Sequence, residues 1–266
     1  MLHARLATAA AAIPLLLLVI LYGPAWLLAV VVGALAVAGV GEFATMAFPA
    51  QPAERGLNML LGTTLVIAVA ATGRTPRLLD ATLAAIIFAG LVWTLLVRRD
   101  FENGLHDLGL SLVGVFYTGF LLPHFIWLHA LGGGARWVIF VLVICMAGDT
   151  GGYFVGHALG RHKLAPRLSP GKTIEGAVGI VLASLLAAAV AKLIFLPEPG
   201  WREILLLATI MAILGQLGDL SESMMKRTFG IKESGWLFPG HGGVLDRTDS
   251  LLFPVTFLYY YLEYTR

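Results

Sequence analysis

Runs of about 20 residues with almost no charge recur from one end of this chain to the other. The first two occupy 6–22 and 25–48, and Glu42 is the one charged side chain between Leu6 and Phe48. An α-helix rises about 1.5 Å per residue, so about 20 apolar residues cross the roughly 30 Å hydrocarbon core of a bilayer. The alternative is a water-soluble helical core. Helices of that kind need a polar face, and these segments have none. Hydrophobic residues make up 58% of the 266 and charged residues 13%, as membrane burial requires.

The pattern predicts an all-α, polytopic integral membrane protein with about nine transmembrane helices: 6–22, 25–48, 56–73, 78–97, 108–131, 136–159, 174–196, 201–225 and 249–264. The chain 1–266 reads as a single membrane domain, with 1–135 as helical scaffold and 136–266 carrying catalytic helices and cytoplasmic loops. His3 and Arg5 ahead of an apolar stretch resemble a secretory leader. However, no small-x-small cleavage site follows and a second apolar run begins at once, so 6–22 reads as the first span. Pro14, Pro123 and Pro254 fall inside spans and predict kinks. The stretches "GALAVAGVG" and "EGAVGIVLAS" predict close helix packing and are compatible with a homodimer. Cys145, the only cysteine, excludes an intramolecular disulfide and a thiolate metal site and reads as a small core residue. A net charge of +2, with no basic patch among aromatics, gives no nucleic-acid partner.

Cationic residues orient such a protein, because loops rich in Lys and Arg stay on the cytoplasmic side. With the N-terminus inside and nine spans, 12 of the 18 Lys and Arg fall in cytoplasmic segments and 5 outside, with Lys192 in a span. Loops 160–173 and 226–248 then share the cytoplasmic side of what is expected to be the inner (plasma) membrane. Tyr259, Tyr260, Tyr261 and Tyr264 read as an interfacial belt on the last helix.

Charges inside spans are costly and point to function. Asp149 lies in "CMAGDTGGYFVGH", and Asp219 and Glu222 in "GQLGDLSESMMKR", each near the cytoplasmic end of its span. Asp219, Ser223, Lys226 and Arg227 are spaced i, i+4, i+7 and i+8 and share one helix face. Asp246, Asp249 and Ser250 follow at i, i+3 and i+4 where the last span begins; capping that helix is their alternative role. Several Asp with no thiol or His cluster favour a hard divalent ion, most simply Mg²⁺, as one or two ions, with a monovalent cation also allowed. Glu42 and Lys192 lack polar neighbours in sequence and read as structural. "SPGKT" at 169–173 fails as a P-loop, because position 166 is Pro where Gly is needed and no strand is expected before it. Ser169 and Pro170 are expected as the cap and first residue of a helix, with Lys172 free to bind phosphate. In "PGHGG" at 239–243, glycines allow an anion close to the backbone beside His241.

Taken together these stretches resemble the phosphatidate cytidylyltransferase (CDP-diacylglycerol synthase) family. The family signature appears here as "SMMKRTFGIKESGWLFPGHGGVLDRTD", Ser223 to Asp249, with Glu233 where the pattern has Asp. "GDTGGYFVGHALGRHKLAPRLSPGKTIEG" and "GQLGDL" are also similar to family segments. The close resemblance covers about 148–176 and 215–250. It implies CTP and phosphatidic acid as substrates, CDP-diacylglycerol and pyrophosphate as products, and a site where the lipid bilayer meets the cytosol. On that reading Asp219 and Asp246 hold Mg²⁺, with Asp249 completing a two-metal site. Lys226, Arg227 and Arg247 contact phosphates, and Lys172, Ser223 and Lys232 position nucleotide or lipid phosphate. Asp149 is a further ligand or supports one, Gly242 and Gly243 approach the substrate, and His241 orients a phosphate or the leaving pyrophosphate. Two other readings compete: a CTP-dependent lipid kinase of related architecture, and a membrane transporter built on broken helices.

Overall fold

The computed structural model describes residues 14–72, 76–97, 100–237 and 242–266. His3, Arg5 and His241, named above, lie outside them, as do Arg74, Arg98 and Arg99, which entered the count of cationic loop residues. The elements in chain order are a helix over 14–22 (α1), α2 (Ala25–Ala47), α3 (Pro52–Thr72), α4 (Pro76–Val97), α5 (Phe101–Gly119), α6 (His124–His129), α7 (Gly134–Leu159), strands β1 (Lys163–Ala165) and β2 (Ser169–Thr173), α8 (Ile174–Ile194), α9 (Trp201–Thr228) and α10 (Leu245–Thr265).

Among the described residues, seven helical segments are long and apolar enough to cross a membrane. They match seven of the expected spans. Of the other two, 6–22 is described only from 14 onward. The expected 249–264 is α10, whose Asp246, Arg247, Asp249, threonines and tyrosines dilute its hydropathy. The expected fifth span, 108–131, is two helices. α5 starts seven residues earlier, at Phe101, and ends at Gly119; turns over 120–123 precede α6, so Pro123 marks a break instead of a bend.

The described residues gather into two compact units. One consists of Pro24–Trp127 and Glu233–Arg247. In it α2, α3 and α5 pack through glycines: Gly62 lies against Val40, Gly39 against Thr118 and Gly114 against the Phe43 ring, each too close for a Cβ. The Trp93 indole donates to Glu54 Oε1 at 3.2 Å and ties α4 to α3.

The other unit consists of the described residues up to Gly23, Leu128–Lys232 and Thr248–Arg266. α7 and α8 run antiparallel along a glycine seam, with Gly148 against Ser184, Gly152 against Ile180 and Gly156 against Gly176. α9 runs antiparallel to α8: Gln216 reaches the Ala177 carbonyl, and Arg227 Nε donates to Leu168 O at 3.2 Å. The end of α7, the β1–β2 hairpin, the start of α8 and the end of α9 are therefore at one end of this unit. At the other end Arg136 pairs with Glu198 at 2.5 Å, and Arg266 reaches Glu203 at 3.0 Å while stacking 4.9 Å from the Trp137 ring. The amide of Glu198 and the Arg136 guanidinium hold the Glu198 carboxyl below the usual range. Lys192 donates to Pro197 O at 2.7 Å, a local structural role as expected.

Pro254 has a traceable consequence. It lies inside α10 and has no N–H for the carbonyl of Ser250, four residues earlier. The buried Cys145 thiol on α7 supplies the donor instead, with Sγ 3.4 Å from Ser250 O. Cys145→Ala is expected to lower thermal stability in detergent by about 1–2 kcal/mol, through lost packing and the lost donor. Adding Pro254→Ala, which restores the helical N–H, should recover part of that loss.

Candidate active site

The site begins with the hairpin. β1 and β2 pair antiparallel, Lys163 opposite Thr173 and Ala165 opposite Ser169. Contrary to the sequence expectation, Ser169 and Pro170 therefore do not start a helix. Strand pairing takes their backbone, and α8 starts at Ile174 with Thr173 as its cap, Thr173 Oγ1 accepting from Gly176 N at 3.1 Å. Glu175 then accepts from the amides of Arg161 and His162 at 3.1 and 3.2 Å and meets His162 Nδ1 at 2.7 Å. That carboxylate ties the chain leaving α7 to the first turn of α8. The strand expected to be missing is thus present, and Lys172 projects from β2.

Within the Leu128–Lys232 part of this unit lies a cavity of about 530 Å³, with polar walls formed by Asp149, His157, Lys163, Lys172, Gln216 and Asp219. Its floor is made of glycines. Gly152 and Gly156 lie one turn apart on one face of α7, Gly160 caps its end four residues on, and Gly176 of α8 is opposite. Lys172 Nζ is 2.6 Å from Asp219 Oδ2, both side chains partly exposed at 23% and 33%. Ser223 Oγ is 3.5 Å from the other Asp219 oxygen. Tyr153 and His157, one turn apart, stack with planes 5° from parallel.

Below this pair the carboxylates accumulate. Gly218 on α9 lies so close to the Asp249 carbonyl on α10 that a Cβ would overlap it. The approach brings the Asp249 carboxylate within electrostatic reach of Asp219 and Glu222. Ser250 Oγ donates to Asp149 Oδ2 at 3.3 Å, and Ser250 N to Asp249 Oδ1 at 2.7 Å. Asp149, Asp219 and Asp249, assigned separately to three helices, thus belong to one polar region of this unit. Lys226 lies on the Asp219 face of α9, as expected, but its ammonium is engaged within the helix. It forms an i, i+4 pair with the fully buried Glu222 at 2.7 Å, neutralising a carboxylate that could not otherwise stay charged there. Arg227 is likewise engaged with carbonyls, Leu168 O through Nε and Ile231 O through Nη1 at 3.0 Å. Lys232 is exposed.

The acidic side chains of this region, with the Ser223 and Ser250 hydroxyls, offer oxygen ligands only. No three His, Cys, Asp or Glu side chains among the described residues converge as a metal cage. Mg²⁺ fits that chemistry, since it takes one or two protein carboxylates and fills its octahedron with phosphate and water oxygens.

The remaining expected residues lie in the unit of Pro24–Trp127 and Glu233–Arg247. Asp246 Oδ2 accepts three bonds, each of 2.9 Å, from Ser234 N, Ser234 Oγ and Gly243 N. That oxygen is committed to the loop, and the Gly243 amide, expected to face substrate, is used on it. Gly242 sits at φ +81 with no room for a Cβ beside Asp246. Arg247, Glu233 and the neighbouring Trp236 are exposed. Glu42 has polar partners after all: Oε1 accepts from Val244 N at 2.8 Å, and Oε2 from Leu245 N at 3.0 Å.

Sequence reasoning therefore missed Lys163, Gln216, Tyr153 and His157 as cavity residues, and Glu42 as an anchor. The i, i+4 spacing of Tyr153 and His157 beside the Gly152, Gly156 and Gly160 repeat was a usable signal for those two. Nothing near Glu42 in the sequence marked it.

Comparison with known proteins adds a family. A model described as the cytidylyltransferase family matches residues 3–265. A phosphatidate cytidylyltransferase of Bacillus subtilis (strain 168) is 41% identical over 174 residues, 65% of this chain and 64% of that protein. Proteins of the same name from Staphylococcus epidermidis (strain RP62A) and Staphylococcus aureus (strain COL) are each 39% identical, over 176 and 178 residues, 66% of either chain. The matched stretch thus spans just under two thirds of the length of these curated relatives.

Proposed function

Because the chain belongs to the cytidylyltransferase family, we propose that it transfers CMP from CTP to phosphatidic acid, giving CDP-diacylglycerol and pyrophosphate. The observation that supports this most is the cavity holding the Lys172–Asp219 pair, in a chain that matches the family over 3–265. An oxygen of the lipid phosphate attacks the α-phosphorus of CTP, and the bond from that phosphorus to the β-phosphate oxygen breaks. The nucleophile is already ionised near neutral pH, so no strong general base is needed. The protein's task is placement and charge.

Lys163 and Lys172 take the triphosphate, and Lys172 leaves Asp219 to do so. Asp219 then faces the phosphates with its negative charge exposed, and Asp249 is the neighbouring carboxylate on α10. Asp246, three residues before Asp249 on α10, is the further carboxylate proposed as a ligand. Mg²⁺ bound by these carboxylates would neutralise charge on the triphosphate and on departing pyrophosphate. Arg247, Lys232 and His241 supply further positive charge or donors to phosphate. The site is read as facing the cytoplasm from the inner membrane, where CTP and a bilayer lipid meet.

The test is product analysis with purified protein in detergent, labelled CTP and phosphatidic acid, with and without Mg²⁺. The expected result is CDP-lipid and pyrophosphate in equal amounts, only with Mg²⁺. CDP with a newly phosphorylated lipid would make the protein a kinase, and solute uptake by proteoliposomes without CTP would make it a transporter.

A further inference from the structure

Glu42 stands on α2, 202 residues before the nearest of its main partners, Val244. Its carboxylate grips two consecutive amides at the start of α10, Val244 N and Leu245 N, at 2.8 and 3.0 Å. Those amides belong to the first turn of a helix and have no carbonyl partner within it, and a negative group there also meets the positive end of the helix dipole. The same Oε2 accepts from Ser234 Oγ at 3.2 Å. Gly235 and Gly243 press against the carboxylate so closely that a Cβ on either would overlap it. The described parts of the loop before α10 are thus moulded around one side chain.

Ser234 carries the contact onward. Its hydroxyl lies 2.9 Å from Asp246 Oδ2 as well as 3.2 Å from Glu42 Oε2, and it accepts from Asp246 N at 3.4 Å. One hydroxyl proton serves two carboxylates, so moving Glu42 alters what Asp246 receives. A carboxylate that merely filled its helix surface would bond within its own helix or to water. Among the described residues, the hydrogen-bond partners of the Glu42 carboxylate fall within 234–245, and Asp246 follows directly.

We infer that Glu42 is a positioning residue for the transfer reaction: through the α10 amides and Ser234 it fixes the Asp246 carboxylate and the Gly242–Gly243 turn in working geometry. This rests on the transferase reading above. The test combines kinetics with amide hydrogen exchange on the full-length protein in detergent, comparing wild type, Glu42→Gln, Ser234→Ala and the double variant. Glu42→Gln keeps the shape but loses the charge and one acceptor. Its kcat should fall about ten-fold or more with KM for both substrates within about two-fold, the size of loss typical when a partner that orients a functional carboxylate is removed. Amides in 233–247 should exchange faster, while those of α7, α8 and α9 keep wild-type protection. Ser234→Ala should show a smaller loss of the same kind, and the double variant should be no worse than Glu42→Gln alone, because both act along one path.

Wild-type kcat and exchange in Glu42→Gln would overturn the inference. So would multiplicative losses in the double variant, or exchange rising throughout the protein. If Glu42→Gln does not fold, Ser234→Ala decides by the same two readouts. If the wild type makes no CDP-lipid, the transferase reading fails, while exchange in 233–247 still reports whether Glu42 fixes the loop.

Discussion

Asp219→Asn is expected to lower CDP-lipid formation about 10²- to 10³-fold while leaving KM for CTP at or below its wild-type value, as when one preorganised electrostatic contact to a transition state is lost. The direction follows from the Lys172 contact. In the resting protein Asp219 neutralises Lys172 across 2.6 Å. Asparagine removes that attraction, so Lys172 is easier to recruit to the triphosphate and ground-state binding does not suffer. On the proposed mechanism the charge lost is the one that would face the cation and the leaving phosphates, which counts only as the bond breaks. Lys172→Ala should do the opposite, raising KM for CTP more than it lowers kcat. Steady-state kinetics of the two variants check the pair. A raised KM in Asp219→Asn with unchanged kcat would mean that Asp219 only helps hold substrate.

A single methyl group should have nearly as large an effect at Gly218. Gly218→Ala places a Cβ on the Asp249 carbonyl, so α9 and α10 must part where the carboxylates of Asp219 and Asp249 approach. Backbone cannot rotate away as a side chain can, and a displacement of about 1 Å in a reacting assembly costs on the order of 10²-fold in rate. The loss should appear in kcat, with the protein still folded, because the rest of both helices keeps its packing. Activity assays alongside thermal stability in detergent test this. Near-wild-type kcat in a well-folded Gly218→Ala protein would show that the α9–α10 approach is not needed.

Why some of this was legible and some not has physical causes. Membrane spans are long and repeat one simple requirement, so seven of them were readable from length and hydropathy. Intramembrane Asp149 and Asp219 stood out because a charge in hydrocarbon needs a reason. The hairpin did not stand out. Its strands are three and five residues long, and "SPGKT" contains Pro and Gly, which argue for a helix start or a turn more than for a strand. Thr173 took the capping role from Ser169 because pairing with β1 carried the extended backbone four residues further. Glu42 looked idle because its partners are mainly backbone amides, which carry no sequence signal. Lys226 looked like a phosphate ligand because the sequence shows that it follows Glu222 by one turn, but not that Glu222 is fully buried and must be neutralised first. Cys145 reads only as a small core residue until Pro254 is seen to leave the Ser250 carbonyl in need of a donor.

On the proposed mechanism, carboxylates on α9 and α10 hold a divalent ion against the phosphates of a nucleotide. Mn²⁺ binding followed by electron paramagnetic resonance, with CTP present and no lipid to react, tests it without relying on turnover. The wild-type protein is expected to bind Mn²⁺ with CTP, and Asp219→Asn and Asp249→Asn to weaken that binding by about 10- to 100-fold. Equal Mn²⁺ affinity in all three proteins, each shown to be folded, would contradict it.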